Sequence, residues 1–287
     1  EARGVASVED GTPVNADTVF QVASLTKPVF AALVMRLRER GVIDLDVPLL
    51  DYADYSDVSA VSEARAVTAR LVLSHQTGLP NWRSLEDGET VSFLSRPGEA
   101  YSYSGEGYIW LQSTLERLLG KSTRQLIRED VFEPLNMGRS ALGYDHALFP
   151  NGNFARGHDE NAKLLSDGKV KSVADIFIDQ GFDLDEIGIS EARQAIKSTP
   201  ELSERFYNHP TFAPSTASGS LVCTVADYAR FMQVFTDSSG TDILSAESKA
   251  EMLKPHAEVK KYTSAGLGWL IEQTPTGIAF SHGGFNT

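Results

Sequence analysis

Cysteine is nearly absent: Cys223 is the only one in 287 residues, so no disulfide closes within the chain and no thiolate cluster holds a metal. Cations are scarce as well, with 26 lysines and arginines against 39 aspartates and glutamates and a formal net charge of −13. A surface of that sign repels phosphate backbones and anionic lipid heads, which argues against nucleic acid as a partner. Long apolar runs are missing too. The longest, Val29 to Met35, falls far short of the roughly 20 residues that span a bilayer and reads as a buried helix. The opening "EARGVASVEDG" resembles a strand entering a turn and lacks the charged-then-apolar pattern of a secretory signal, so it leaves the compartment open. No G-x-S-x-G elbow and no H-E-x-x-H motif occurs anywhere. His146, His158, His209 and His256 show no ligand spacing, and neither a metal nor another cofactor is implied.

What is present describes an ordinary globular chain, 41% apolar and 23% charged, long enough to bury a sizeable core. Short β-branched runs at 4–8 and 19–23 predict two opening strands joined by a turn-rich connector. The run "SLTKPVFAALVMRLRERG" is apolar on nearly all sides, then cationic, then closed by Gly41; it predicts a buried helix from Ser24. Helical patterns follow at "SLEDGETVSFL", "YIWLQSTLERLLG", "STRQLIREDVF" and "ADYARFMQVFT", and strand character returns only at "GLGWLIEQ" and "GIAFSHGG". The expected architecture is therefore α/β (α+β): an antiparallel sheet flanked by helices, with an all-helical insertion. Residues 1–44 and 261–287 form the sheet part and 45–260 the mainly helical part of one unit. The last strand stops at Phe285 with no partner behind it, a pattern expected of a chain truncated at one or both ends.

Ser24 and Lys27 are three residues apart at the predicted start of a helix, on one face of one turn. A serine hydroxyl becomes a nucleophile when a base takes its proton. A lysine serves if burial beside a helix N-terminus lowers its pKa from about 10.4. The backbone N–H of Ser24 is also placed to donate to an oxyanion. Alone, S-x-x-K is also the pattern of a capping serine before a surface lysine.

Two further motifs give it company. "SLTK" (24–27), "YSG" (103–105) and "HGG" (282–284), with "LVLSHQTGLPNW", "PGEAYSYSGEGY", "VFEPLNMG", "ASGSLVCTVADYARF" and "GLGW" in the same order, resemble the serine β-lactamase and penicillin-binding-protein superfamily. The likeness is to its class C-like branch of carboxypeptidases, D-aminopeptidases, β-lactamases and carboxylesterases. The resemblance implies Ser24 as acylated nucleophile, Lys27 as its proton partner and Tyr103 as general base and acid. Tyr103 would act either as an anion stabilised by Lys27 or by relaying its proton through Lys27. It implies His282 in the place of a common lysine, able to bond Tyr103 or a substrate carboxylate but a weaker anion binder near neutral pH. Gly283 and Gly284 would admit substrate backbone, Phe285 N–H would be the second oxyanion donor, and Ser104 a further hydroxyl of the site. Gly105 replaces the family's usual asparagine and so removes an amide partner.

The implied substrate is a small ester, amide or D-amino-acid peptide, in a periplasmic, secreted or cytoplasmic setting. A class C-like β-lactamase, a penicillin-binding D,D-carboxypeptidase and a non-catalytic ligand-binding module of the same fold are the alternatives. His75 reads as a buried histidine bonding a loop backbone, Glu133 as structural, and Trp82, Trp110 and Trp269 as core, although the resemblance implies that Trp82 follows a loop bordering the cleft.

Overall fold

A computed structural model describes residues 1–9, 11–58, 62–83, 91–143, 153–158, 161–163, 174–199, 215–236 and 242–285. Strand β1 (Val19–Ala23) runs into a turn, and helix α1 (Thr26–Glu39) follows. Val29 to Val34 of α1 are wholly buried, which is why its apolar residues fall on every side. The helix closes as its composition predicts: Val42 N–H reaches back to Leu37 O, and Gly41 adopts φ +71°, a left-handed conformation that glycine takes without strain. Its start differs from the prediction by two residues. Ser24 lies in the turn, not in the helix.

The helical middle is held by side-chain caps. Thr68 accepts from Leu71 N–H at the start of α2 (Ala69–Leu73). Ser104 accepts from Gly107 N–H at the start of α3 (Gly105–Leu119). A Ser122/Gln125 capping box opens α4 (Thr123–Ile127), which continues as a π-helical turn over Arg128–Phe132. Helices α5 (Ile189–Ser198), α6 (Val225–Thr236) and α7 (Ala246–Met252) come later in the chain. Of the expected helix "SLEDGETVSFL", residues 91–94 are irregular and 84–90 lie outside the described residues.

Strands are more numerous than the sequence pattern shows. Residues 4–8 form no strand, only an isolated bridge between Val5 and Pro13. Conversely β2 (Ser140–Leu142), β3 (Leu221–Thr224), β4 (Ala257–Lys260) and β5 (Thr263–Ala265) precede the anticipated β6 (Leu270–Thr274) and β7 (Gly277–Ser281). β1 pairs antiparallel with β3 and β3 with β2, while β4 to β7 form an antiparallel meander. The missed strands are three or four residues long. At that length neither a period of two nor a propensity sum can announce itself. Two glycines bring α1 and β1 against the meander. A Cβ on Gly268 would lie 2.7 Å from Ala31 Cβ, and one on Gly284 would lie 2.3 Å from Val22 O. Neither approach tolerates a side chain.

Candidate active site

Ser24 sits between a strained strand end and a buried helix. Ala23 turns the chain with φ +48°, an uncommon conformation for a residue with a Cβ. Thr26 secures it: its hydroxyl donates to Ala23 O at 2.6 Å and accepts from Leu221 N–H at 2.9 Å, tying the turn to β3. Thr26 belongs to no catalytic motif, and only its place inside "SLTK" on the first turn of α1 marks it as a turn-locking hydroxyl.

Lys27 lies one residue on and is fully buried. Its Nζ donates to Ser24 Oγ at 3.1 Å and to Ser218 O at 2.6 Å, and it pairs with no carboxylate among the described residues. Burial without a counter-charge pushes its pKa down to about 7. The Ser218 carbonyl is itself anchored, because Gln112 of α3 accepts from Ala217 N–H at 2.8 Å and donates to Ser215 O at 3.1 Å. Gln112 and Ser218 were invisible as site residues. Their only sequence signal is the small-residue run "ASGS" ahead of β3.

Tyr103 comes from the other side. Its ring centroid lies 4.7 Å from Lys27 Nζ, and that of Tyr108 lies 5.4 Å away, so the lysine head faces two aromatic surfaces. Burial raises the Tyr103 phenol to about 12, with the neighbouring Ser24 hydroxyl acting in the opposite sense. Behind it, His75 stacks on Tyr103 with centroids 4.3 Å apart and an interplanar angle of 30°. Its Nδ1 accepts from Ser104 N–H at 3.1 Å, so the ring is neutral with its proton on Nε2, a buried atom without a partner among the described residues. Burial and the Lys27 charge hold it in that form, far below the usual histidine range.

His282 completes the cluster less closely. Its ring centroid is 6.2 Å from that of Tyr103, and its Nδ1–H donates to Gly283 O at 2.7 Å. No hydrogen bond joins it to Tyr103 among the described residues. Desolvation, then the Lys27 charge, pushes it down to about 4. At neutral pH the imidazole is therefore uncharged and does not supply the cation of the lysine it replaces.

One expected substrate contact, Ser104, is placed otherwise. Ser104 is almost fully buried and spends its hydroxyl on capping α3 and donating to Pro80 O at 2.8 Å, so it offers nothing to a ligand. The Gly105 N–H is bound to Asn81, through both its carbonyl at 3.1 Å and its Oδ1 at 3.0 Å. The close contact of Gly284 is to β1, whereas a Cβ on Gly283 would meet nothing within 4 Å. Phe285 follows with its side chain exposed. A surface groove of about 680 Å³ lined by Lys121, Gln125, Phe182 and Glu186 shares no residue with this cluster. Cys223 is buried with its thiol pushed up to about 12 and takes no part.

A serine and a desolvated lysine at the junction of an antiparallel sheet strand and a buried helix, faced by a tyrosine on a second element, define an α/β fold of the β-lactamase and transpeptidase kind. The β-lactamase family model matches residues 1–287, and the chain belongs to that family. Among curated proteins, penicillin-binding protein 4 of Amycolatopsis lactamdurans is 31% identical over 160 residues, covering 51% of this chain and 42% of that protein. The protein named esterase/beta-lactamase LipL of Mycobacterium tuberculosis is 30% identical, with 52% and 37% covered. The matched stretches thus span less than half of these relatives' own length. Among solved structures, a penicillin-binding protein from Bacillus halodurans superposes with a TM-score of 0.70 at 18% identity, covering 99% of this chain and 79% of that one. This likeness is one of fold.

Proposed function

We propose that the chain is a serine hydrolase that works through a covalent acyl-enzyme, with esters as its preferred substrates. The observation that carries this reading is Lys27, buried without a carboxylate and 3.1 Å from Ser24 Oγ. With its pKa pushed down to about 7, a large share of it is the free amine at neutral pH. The Tyr103 phenol, raised to about 12, keeps its proton under the same conditions. Of the two bases left open by sequence, Lys27 is the one poised to take the Ser24 proton, and Tyr103 serves as a relay.

In this reading the site lies between the sheet-bearing ends of the chain (1–44 and 261–287) and the middle part (45–260), which is mainly helical but contributes β2, β3 and β4. Ser24 Oγ attacks the ester carbonyl as its proton passes to Lys27, and the carbonyl oxygen becomes an oxyanion between the N–H groups of Ser24 and Phe285. The intermediate collapses, and the C–O bond to the leaving group breaks. The leaving oxygen takes a proton from Tyr103, which Lys27 restores. Water then adds to the acyl carbon, giving its proton to the same pair, and the acid departs as Ser24 is reprotonated. His282, neutral, and Gly105, without a side chain, leave the site poor in partners for a carboxylate or an amide. Esters ask for neither.

The curated relatives named as penicillin-binding proteins favour a second reading, acylation by β-lactams or D-amino-acid amides. Intact-mass analysis after a fluorophosphonate tests the nucleophile, and turnover of p-nitrophenyl acetate against nitrocefin ranks the substrates. One adduct on the wild type, none on Ser24→Ala, and faster ester turnover are expected. An equal adduct on Ser24→Ala overturns the mechanism, and rapid nitrocefin turnover with inert esters reverses the ranking.

A further inference from the structure

Gly105 is more than a missing side chain, because its place is taken. A Cβ built on Gly105 would lie 2.6 and 2.7 Å from Cζ3 and Cη2 of Trp82 and 2.8 Å from Asn81 O. The six-membered ring of Trp82 thus occupies the room into which any residue at 105 would project. That room borders the chemistry. Ser104 is extended (φ −134°, ψ 115°), so side chains at 103 and 105 leave the backbone on the same side, the side on which Tyr103 meets Ser24 and Lys27. Trp82, Tyr103 and Ser24 are each only partly buried, as residues around an open cleft are.

The backbone N–H groups and the charges beside the indole are held by the protein itself. Gly105 N–H and Glu106 N–H both donate to Asn81 O, each at 3.1 Å. Arg83, next to the indole, is fixed by the nearly inaccessible Glu106 carboxylate, with Nη2 donating to Oε2 at 2.6 Å. Ser104 Oγ holds Pro80 O on the other flank. Trp82 is therefore clamped at both neighbours and packs on a second apolar cluster that includes Ile109 and Phe177. A rigid aromatic surface replaces whatever hydrogen-bonding group residue 105 would have brought.

We infer that Trp82 is a specificity-determining residue and that the substrates are esters of apolar acyl groups longer than acetyl, which the indole flanks while Ser24 attacks. This deepens the hydrolase reading and rests on it. Each methylene brought against the ring adds an apolar contact that acetate lacks.

The test compares kcat/KM for p-nitrophenyl butyrate and p-nitrophenyl acetate, with labelling by a fluorophosphonate run alongside. Wild type is expected to favour butyrate by about 10-fold, and Trp82→Ala to reduce that ratio to within about 3-fold. A second measurement needs no turnover. Gly105→Asn is expected to lower the thermal midpoint further in the wild-type background than in the Trp82→Ala background, because Trp82→Ala removes the clash with the indole and leaves only that with Asn81 O. A wild-type protein that takes no adduct on Ser24 overturns the hydrolase reading together with this one. An adduct on Ser24 with a butyrate preference that Trp82→Ala leaves intact, or equal midpoint losses in both backgrounds, overturns the role of Trp82 alone.

Discussion

Two of the sites that draw cations out of solvent among the described residues do so in opposite ways. Around the start of α3, Arg83 and Arg193 share the Glu106 and Asp57 carboxylates and the Tyr55 hydroxyl, with N···O distances from 2.5 to 3.4 Å. The carboxylates are held below their ordinary range despite their burial, and the Arg83 pKa is raised. Under the start of α1, Lys27 has a hydroxyl, a carbonyl and two aromatic faces, but no carboxylate among the described residues. Its pKa falls instead. Burial with partners makes a permanently charged clamp, and burial without one makes a group that gives and takes a proton near neutrality. The first holds the loop beside the cleft; the second is suited to acyl transfer.

Removing the proposed nucleophile is the largest break. Ser24→Ala is expected to cut ester turnover by about 10³-fold or more while leaving the melting midpoint within a few degrees, checked by steady-state kinetics and thermal unfolding. Lys27→Arg tests the lone cation directly, because a guanidinium stays charged and takes no proton from Ser24; a loss of about 10²-fold or more in kcat is expected.

The stability consequences of the two sites should be opposite in sign. Lys27 binds its proton less tightly folded than unfolded, so it costs stability in full below pH 7, and the cost fades as pH rises toward 10.5. Lys27→Met is thus expected to be more stable than wild type by on the order of 3–5 kcal/mol at pH 6, with the gap closing toward pH 10, as read from urea midpoints. Glu106→Gln goes the other way. Leaving Arg83 and Arg193 short of a buried counter-charge is expected to cost roughly 3–5 kcal/mol. The smallest effect belongs to the exposed Lys121–Glu129 pair at 2.6 Å. Glu129→Gln should shift stability by less than about 0.5 kcal/mol, since solvent screens both charges.

The contrast also explains what the sequence reveals by itself. Ser24, Lys27 and Tyr103 were legible because each belongs to a local motif, and α1, α3, α6, β6 and β7 because their patterns run for several residues. The short strands β2 to β5 were not, and neither was the pairing of β1 with β3, which joins residues about 200 apart. The clamp was illegible for a similar reason: Asp57, Arg83, Glu106 and Arg193 are ordinary charged residues in sequence and become one cluster only in the fold. Gly105 was legible as a departure, yet its cause was not. Nothing in "LPNW" announces that the tryptophan fills the space at 105. Ser104 misled because a serine beside the tyrosine reads equally as a site hydroxyl and as a helix cap, and burial decides for the cap.

The central claim is that Lys27, as a free amine, takes the Ser24 proton. The pre-steady-state rate of Ser24 acylation by p-nitrophenyl acetate, followed from pH 5 to 9.5, measures this directly. His282, pushed down to about 4, and Tyr103, raised to about 12, do not change charge over most of that range. The account predicts a single rise with a midpoint at about 7, set by Lys27 and absent in Lys27→Arg. A rate flat through neutrality, or one that climbs only above pH 9, would contradict it.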